Sequence, residues 1–353
     1  MMRRGWVLVT DGGSGQGRSA LAAVRALAEA GYPTGVTVSG RYSLAAASRF
    51  CQRRIEVPSV TDASGYKQAI LAEVKRRRYL TVMPTSDSAL LVLGRPVKEL
   101  VDKVRLSEKA GRVGLAVPET ARFDSTDDLF AAAEGFDYPV VMKPAVSRWP
   151  AACLSSRAEL ASLASALDGP FLIQPFLRDD LRAICGVMWK GRLVASSHQR
   201  YFRTWPRSCG TASAAETTAP DIDLEERIVA LLAGYEGIFQ AQLAADKLLD
   251  LNARPYGSMP LAVEAGTNFP RIYCDLLHGV EYSGVVRARQ GVFYRWVEGD
   301  LRNLFSSYRR GELGALSVLR ALKPRRRTAH STESLADPKP TLARLAYALR
   351  RAA

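Results

Sequence analysis

The sequence predicts an α/β domain with a parallel sheet, then an α+β domain and a helical, basic C-terminal extension. Its 353 residues suit two or three domains of about 150 residues each, and a hydrophobic share of 47% is typical of globular proteins. Short apolar strands alternate with helical periodicity over residues 1–95, which predicts parallel strands. Over residues 96–280, strands joined by short turns predict hairpins.

The first domain, residues 1–95, opens with a strand, a loop and a helix. Residues 6–10 form the predicted strand, and Leu21, Val24 and Leu27 share one face of a helix that stops at Gly31. The other predicted elements of this domain are strands at residues 34–39, 54–57 and 80–84 and a helix at residues 62–78, with Asp62 as its N-cap.

The glycine-rich loop at residues 11–19 has several interpretations. Its backbone N–H groups could bind an anion at the start of the helix. A P-loop would need a lysine where Arg18 stands. A dehydrogenase would need a tyrosine four residues before a lysine, and none of the 13 tyrosines has one. The alternative is structural, because glycines permit a tight turn and close helix packing.

The second domain is predicted to mix strands and helices. Its predicted elements are helices at 97–110, 157–167 and 224–235, an extended crossing at 117–120, and strands at 138–143, 151–154, 171–174, 183–189, 193–198, 238–244 and 247–251. The last two strands form a hairpin whose turn surrounds Asp246.

Four polar segments follow one another in this domain. They are a helix that begins at Asp102-Lys103, a strand that ends in Lys143-Pro144, the strand and loop at 171–177, and a strand that continues through 248–258. In this order and spacing, residues 5–280 resemble the ATP-grasp superfamily, in particular the carboxylate-amine ligase branch related to the ATP-binding domains of the carbamoyl-phosphate synthase large subunit. The resemblance implies a Rossmann-like pre-ATP-grasp domain over 1–95, a two-lobed ATP-grasp domain over 96–280 and an extension over 281–353.

The residues themselves support a polyphosphate and metal site. Lys103 and Lys143, on different segments, could clamp one polyphosphate. Asp250 and Asn252 alternate along a strand, so both side chains leave one face, where they could share Mg²⁺. Arg254 continues that face, and its guanidinium could bind a γ-phosphate or a phosphorylated intermediate. Taken alone, the same pattern also fits a solvated strand face.

The resemblance implies further roles. Gln174 and Phe176 would line the adenine, Asp180 would hold the ribose hydroxyls, and Ser147, with Arg148, would replace some backbone contacts of a phosphate lid that lacks its usual glycines. Arg203 belongs to a segment, residues 198–206, that resembles the basic hairpin facing the nucleotide, and we assign it a catalytic role.

Two positions depart from the family's metal-binding pattern. Gln242 stands where the family usually has a metal-bridging glutamate, and Asp250 stands where glutamate is commoner. An amide oxygen can still bind Mg²⁺ but neutralises no charge, so the expected set of metal ligands is Asp250, Asn252 and Gln242. His198 is expected to be structural or to face solvent rather than to act as a base.

The resemblance implies an enzyme that uses ATP and Mg²⁺ to join a small-molecule carboxylate to an amine or another nucleophile. The carboxylate would attack the γ-phosphate, giving an acyl phosphate and ADP, and the nucleophile would then displace phosphate. The alternative is a degenerate nucleotide-binding or scaffolding protein, suggested by Gln242 and the glycine-poor lid.

The positive charge is concentrated near the C-terminus. The formal net charge is +14, and residues 271–353 contain 16 Lys and Arg against 7 Asp and Glu. Two helical apolar patterns flank the basic segment 323–327; they are Leu301, Leu304, Phe305 and Tyr308, and Leu342, Leu345 and Leu349. We expect two helices packed on the core with a solvated basic turn; the alternatives are contact with an anionic membrane surface, a polyanionic partner or an acidic substrate.

Other sequence features bear on partners and location. Aromatic residues interleaved with arginines at 198–206 could contact single-stranded nucleic acid, but no sustained basic face accompanies them, and nucleic-acid binding is not expected. Five cysteines without a CxxC pair predict free thiols. The N-terminus has too few apolar residues for a signal peptide and no stretch is long enough for a membrane span, so we expect a cytoplasmic protein.

Overall fold

The computed structural model describes residues 4–11, 17–40, 42–147, 149–178 and 180–352, and only the backbone of residues 348–352. Most of the glycine loop, residues 12–16, and the lid residue Arg148 lie outside the described residues. The expectations for them therefore stay predictions, as does the one for the Leu349 side chain.

The first domain contains the predicted parallel sheet, in the strand order β3-β2-β1-β4. Its elements are β1 (Trp6–Thr10), α1 (Arg18–Glu29), β2 (Thr34–Val38), α2 (Leu44–Ala47), β3 (Cys51–Glu56), α3 (Ala63–Arg76), β4 (Tyr79–Met83) and α4 (Asp87–Val92). The carboxylate of Asp62 accepts from Gly65 N at 3.0 Å, which confirms it as the N-cap of α3. The short helices α2 and α4 were not predicted, because neither is long enough to show a helical period.

A second, antiparallel sheet follows, in the order β5-β8-β6-β7. The elements of this region are α5 (Lys98–Val101), α6 (Lys103–Arg112), β5 (Ala121–Phe123), α7 (Thr126–Ala132), β6 (Val140–Pro144), β7 (Ala152–Leu154), α8 (Arg157–Ala164) and β8 (Phe171–Pro175). The helix predicted over 97–110 is divided at Asp102, whose carboxylate accepts from Val104 N at 3.0 Å and caps α6. Leu129 and Leu160, from α7 and α8, pack against Met142 of this small sheet.

The third sheet is the largest of those described and is mostly antiparallel. Its strands run in the order β13-β12-β9-β10-β11-β15-β16, and β14 pairs with β10. The remaining elements are β9 (Leu181–Trp189), β10 (Arg192–Trp205), β11 (Thr211–Thr218), α9 (Ile222–Leu231), β12 (Gly237–Ala244), β13 (Lys247–Asn252), α10 (Pro260–Glu264), α11 (Phe269–Leu277), β14 (Val286–Arg287), β15 (Phe293–Arg295), α12 (Val297–Arg309), α13 (Ala315–Leu322), β16 (Thr328–His330) and α14 (Lys339–Ala352). The predicted β12–β13 hairpin is confirmed.

The C-terminal extension contains more than the two predicted helices. Strands on both sides of residue 280 share the large sheet, because β14, β15 and β16 join it. Three helices, α12, α13 and α14, accompany these strands. Buried Asp337 accepts from Arg25 Nε at 2.9 Å and from Ser48 Oγ at 2.7 Å, which ties the extension to the first domain. All five cysteines are free thiols, as predicted.

Within the described part of the chain, no helix is both long enough and apolar enough to cross a membrane.

Candidate functional site

A cleft lies between the small antiparallel sheet and the large sheet. It encloses about 780 Å³, open solvent at its mouth included. Six of the predicted site residues line it, namely Lys103, Lys143, Gln174, Phe176, Gln242 and Asp250. These residues come from α6, β6, β8 and the residue that follows it, β12 and β13, so the cleft gathers segments that are far apart in the chain.

Lys103 is held at the start of α6 by a side-chain cap and a main-chain hydrogen bond. Asp102 caps the helix, and Lys103 N donates to Ala145 O at 2.9 Å. The ammonium is largely buried, at 7% exposure. It donates to Ser147 Oγ at 3.1 Å and lies 3.1 Å from Asp250 Oδ1. Ser147 is therefore beside the cleft, where it orients one of the two lysines.

Lys143 enters the cleft from β6. Its Nζ donates to Leu249 O at 2.9 Å, and its side chain is only 5% exposed. Burial lowers the pKa of Lys143, the Asp250 carboxylate opposes this effect, and the nearby Lys103 ammonium adds to it, so that the pKa is about 8. The single Asp250 carboxylate therefore does not neutralise both the Lys103 and the Lys143 ammonium groups, and the cleft is suited to an anion.

Asp250 and Asn252 lie on one face of β13, as the alternation predicted. The β12–β13 register places Asp250 opposite Gln242 and Asn252 opposite Gln240, so four oxygen-bearing side chains line adjacent positions. Burial acts to raise the pKa of the Asp250 carboxyl, but the Lys103 and Lys143 ammonium groups outweigh it and hold that pKa below its usual value.

Gln240 and Tyr201 belong to this arrangement and were missed in the sequence. Gln240 Oε1 accepts from Asn252 Nδ2 at 3.1 Å. Tyr201, which lines the cleft, accepts at its hydroxyl from the amides of Gln240 at 3.2 Å and Gln242 at 3.3 Å. The alternation before Gln242 would have revealed Gln240, since residues two apart on a strand share a face. Nothing in the sequence pairs Tyr201 with this strand.

The predicted adenine-lining strand borders the same cleft. Gln174 Nε2 donates to Thr120 Oγ1 at 2.7 Å, and Phe176 N donates to Pro139 O at 3.2 Å. The side-chain amide of Gln174 is therefore already bonded to the residue that precedes β5. The Asp180 side chain is exposed and does not line the cleft, although its carbonyl accepts from Ala245 N at 3.1 Å. The ribose role of Asp180 stays a prediction.

Arg254 lies farther along the same strand direction. Its Nη2 donates to Asn252 Oδ1 at 2.6 Å and its Nε donates to Asp87 Oδ1 at 2.6 Å. Arg254 therefore connects the end of β13 to α4 of the first domain. It does not line the cleft itself but borders a neighbouring cavity.

The Arg203 side chain lies outside the cleft, against Asp300. Its Nε and Nη2 donate to the two carboxylate oxygens of fully buried Asp300, at 2.6 and 3.1 Å, and Arg203 does not line the cleft. The hairpin that carries it does reach the cleft, through Tyr201 and residues 208–210. The structure thus ties Arg203 to α12, and its catalytic role stays a prediction.

His198 has a structural setting. Its ring is buried, with Nε2 3.2 Å from Glu225 Oε1. Burial lowers the pKa of His198, although Glu225 opposes that effect. Glu225 also accepts from Ser196 Oγ at 2.6 Å and from Arg287 Nη2 at 2.6 Å. Because this cluster is built from internal ion pairs, it fits the structural role expected for His198.

The donor set fits one hard cation accompanied by phosphates. Among the described residues, no group of three or more His, Cys, Asp or Glu side chains is placed to hold a metal ion. Asp250 is the only carboxylate among the four paired side chains of β12 and β13, and the others are amides. Mg²⁺ commonly takes one or two carboxylates and completes its shell with phosphate oxygens and water, so this set fits Mg²⁺ bound with a nucleotide.

Comparison with known proteins finds similarity in structure rather than in sequence. No protein-family model matches the sequence, and no curated protein matches it. The fold is similar to N5-carboxyaminoimidazole synthetase from Staphylococcus aureus complexed with ADP, with a TM-score of 0.63 at 11% identity over 83% of this chain and 82% of that one.

Two other solved structures are similar over comparable lengths. L-amino acid ligase from Bacillus licheniformis matches with a TM-score of 0.60 at 15% identity, covering 78% of this chain and 75% of that one. Biotin carboxylase from Campylobacter jejuni, in a complex with β-γ-ATP, matches with a TM-score of 0.58 at 15% identity, covering 80% and 72%. At such identities the likeness establishes the fold.

Proposed function

The chain has the ATP-grasp fold of carboxylate-amine ligases, and we propose that it is an ATP-dependent ligase that joins a carboxylate to an amine or another nucleophile. The observation that carries this proposal is the convergence of Lys103, Lys143 and Asp250 in one cleft between two sheets. Two buried ammonium groups with one carboxylate between them leave positive charge for a polyphosphate.

The nucleotide would occupy the cleft with its phosphates against Lys103 and Lys143. Ser147 would hold the Lys103 ammonium in place, since the two are 3.1 Å apart. Gln174 and Phe176 also line the cleft, together with the apolar side chains of residues 177 and 181, and would cover the adenine ring. The solved neighbours with bound ADP or β-γ-ATP support this use of the fold.

Asp250, Asn252 and Gln242 would hold Mg²⁺ together with the phosphates. When bound, the ion neutralises charge on the phosphates and supplies Lewis-acid polarisation of the reacting group. Gln240 would fix the Asn252 side chain, because its Oε1 accepts from Asn252 Nδ2 at 3.1 Å. Tyr201 would in turn orient the amides of Gln240 and Gln242.

The chemistry we propose needs no side-chain nucleophile. A substrate carboxylate oxygen attacks the γ-phosphorus, the bond to the β,γ-bridging oxygen breaks, and ADP leaves. The nucleophile then attacks the acyl carbon and inorganic phosphate leaves with the bonding electron pair. Lys103 and Lys143 would offset the negative charge that otherwise repels the carboxylate, which is electrostatic catalysis by positioned cations. The catalytic role of Arg254 stays a prediction, because its guanidinium is bonded to Asp87 and Asn252 outside the cleft.

A second candidate function is favoured by one observation. The β12 residues that pair with Asp250 and Asn252 are the amides Gln242 and Gln240, and neither is a carboxylate. This reduces the negative charge available to metal ions, so the chain could bind nucleotide without turnover, as a nucleotide-responsive scaffold.

Calorimetric titration with ATP and Mg²⁺, followed by assays of ADP and phosphate release over a panel of carboxylates and amines, tests the proposal. We expect binding that Lys103→Met or Lys143→Met weakens at least tenfold. Lys98→Met is the matched control, because Lys98 is an exposed lysine of the neighbouring helix α5. Equal affinity in all four proteins would reject the site. Binding without turnover on any substrate pair would favour the scaffold instead.

A further inference from the structure

The C-terminal helices carry an apolar surface that the proposed ligase function does not use. Leu301, Phe305 and Tyr308 of α12 are exposed and lie one or two turns apart, so they form a single stripe. The opposite side of α12, with Asp300, Asn303 and Ser307, is buried. The stripe is therefore the outer face of a helix that is already packed on the protein.

Helix α13, which follows α12 in the chain and lies beside it, also exposes apolar side chains. None of its eight residues, all of them described, is buried. Leu316 is 70% exposed and Leu319 is 62% exposed, and the two lie three residues apart on one face. Arg295 anchors the helix by donating to the carbonyls of Ala321 and Leu322. This helix is fixed at its end and still exposes its leucines. Exposed apolar side chains that lie together are typical of a surface that binds another molecule or a membrane.

The same segment carries a surplus of positive charge. Residues 297–327 contain 8 Lys and Arg against 3 Asp and Glu. All three acidic side chains are consumed by ion pairs, Glu298 with Arg344, Asp300 with Arg203, and Glu312 with Arg207. Among the described residues, five basic side chains of this segment form no ion pair; they are Arg309, Arg320, Lys323, Arg326 and Arg327.

We propose that α12, α13 and the turn at residues 323–327, called here the basic-apolar face, dock the protein on an anionic lipid bilayer. Exposed leucine, phenylalanine and tyrosine side chains would enter the interface between headgroups and acyl chains, while the arginines would contact lipid phosphates. Each Lys or Arg near an anionic membrane surface is worth roughly a fivefold gain in binding. Apolar insertion and charge attraction together supply the two signals that stable peripheral binding requires.

Charge complementarity favours a bilayer over a second copy of this chain. In a twofold dimer the same patch faces itself, so Arg320 and the basic turn of one copy would oppose those of the other. The face offers no unpaired carboxylate to offset that repulsion among the described residues. The inference goes beyond the ligase function and does not depend on it.

Sedimentation of the full chain with sucrose-loaded vesicles tests the proposal. The vesicles are phosphatidylcholine alone or phosphatidylcholine mixed with phosphatidylglycerol, at low and high salt. We expect binding to the anionic vesicles only, weakened by high salt because exposed charges are screened. Phe305→Ser combined with Leu316→Ser, and separately Arg320→Glu combined with Lys323→Glu, should each reduce binding at least tenfold.

Leu71→Ser combined with Arg76→Glu is the matched control, because both residues are exposed on α3 in the first domain. The control should bind as the parent protein does, and circular dichroism should show all variants folded. No binding to anionic vesicles, or equal loss in the control, would overturn the proposal. Light scattering that shows concentration-dependent self-association, abolished by the Phe305 and Leu316 substitutions, would assign the face to a second copy instead. Equal sedimentation with phosphatidylcholine vesicles and with the anionic vesicles would also contradict docking on an anionic bilayer.

Discussion

Lys103 Nζ lies 3.1 Å from Asp250 Oδ1, and this contact joins the start of α6 to the strand that carries the proposed metal ligands. The pair is partly desolvated, since Lys103 is buried and Asp250 is about one-quarter exposed. The Lys103 ammonium therefore stabilises the charged form of the Asp250 carboxylate, and the carboxylate in turn offsets the charge of the ammonium. Their separate contributions to metal and phosphate binding can be distinguished by substitution.

Asp250→Asn should weaken binding of the magnesium–nucleotide complex at least tenfold, about 1.4 kcal/mol, because it removes the only carboxylate of the proposed ligand set. Nucleotide binding without Mg²⁺ should be equal or tighter, since the substitution frees the Lys103 ammonium. Titration calorimetry with and without Mg²⁺ measures both. Asp246→Asn, in the exposed β12–β13 turn, is the control. Equal losses with and without Mg²⁺ would argue against a metal role for Asp250.

Lys143 should make nucleotide binding depend on pH. Its pKa is lowered to about 8 by burial, so above that pH the free protein holds the amine largely neutral. A bound polyphosphate would raise this pKa, and binding above pH 8 should therefore take up a proton and weaken as pH rises. Calorimetry in buffers of different ionisation enthalpy measures the uptake.

Lys143→Arg provides the comparison for this pH effect, because its guanidinium stays charged throughout the range. Any affinity that the variant retains should lack the proton uptake. If the parent protein binds ATP with no proton uptake above pH 8, Lys143 does not contact the phosphates.

Gln242→Glu should strengthen magnesium-dependent binding. The new carboxylate would lie opposite Asp250 on the neighbouring strand and add a negative charge to the proposed ligand set. We expect the Mg²⁺ concentration for half-maximal nucleotide binding to fall severalfold, with any phosphate release increased. Gln68→Glu, on the exposed side of α3, adds the same charge far from the cleft. An unchanged Mg²⁺ requirement would mean that Gln242 is not beside the ion.

Asp337→Ala should destabilise the fold rather than the site. Its buried carboxylate accepts from Arg25 Nε at 2.9 Å and from Arg49 N at 2.9 Å, and removing it leaves these donors unpaired. We expect a loss of about 3 kcal/mol in the free energy of unfolding, measured by urea denaturation. Asp124→Ala removes an exposed ion pair with Arg122 and should cost less than about 1 kcal/mol. A similar small effect of both would show that the extension is not clamped by Asp337.

The sequence by itself determined the parallel first domain, the β12–β13 hairpin and the pairing of Asp250 with Asn252 on one face. These follow from local rules, since strand alternation and helix periodicity depend on neighbouring residues. It also singled out Lys103 and Lys143, because each lies at the end of a regular element beside a distinctive residue, Asp102 or Pro144.

Only the tertiary structure decided which of these residues meet. The roles of Arg203 and Asp180 were implied by the family resemblance, yet Asp300 holds Arg203 and the Asp180 side chain lies outside the cleft. Tyr201 lies beside Gln240 because β10 and β12, which are far apart in the chain, belong to the same sheet. The C-terminal strands β14, β15 and β16 likewise pair with strands of this sheet that are distant in the sequence. Long-range pairing depends on the packing of the whole chain, and local periodicity carries no record of it.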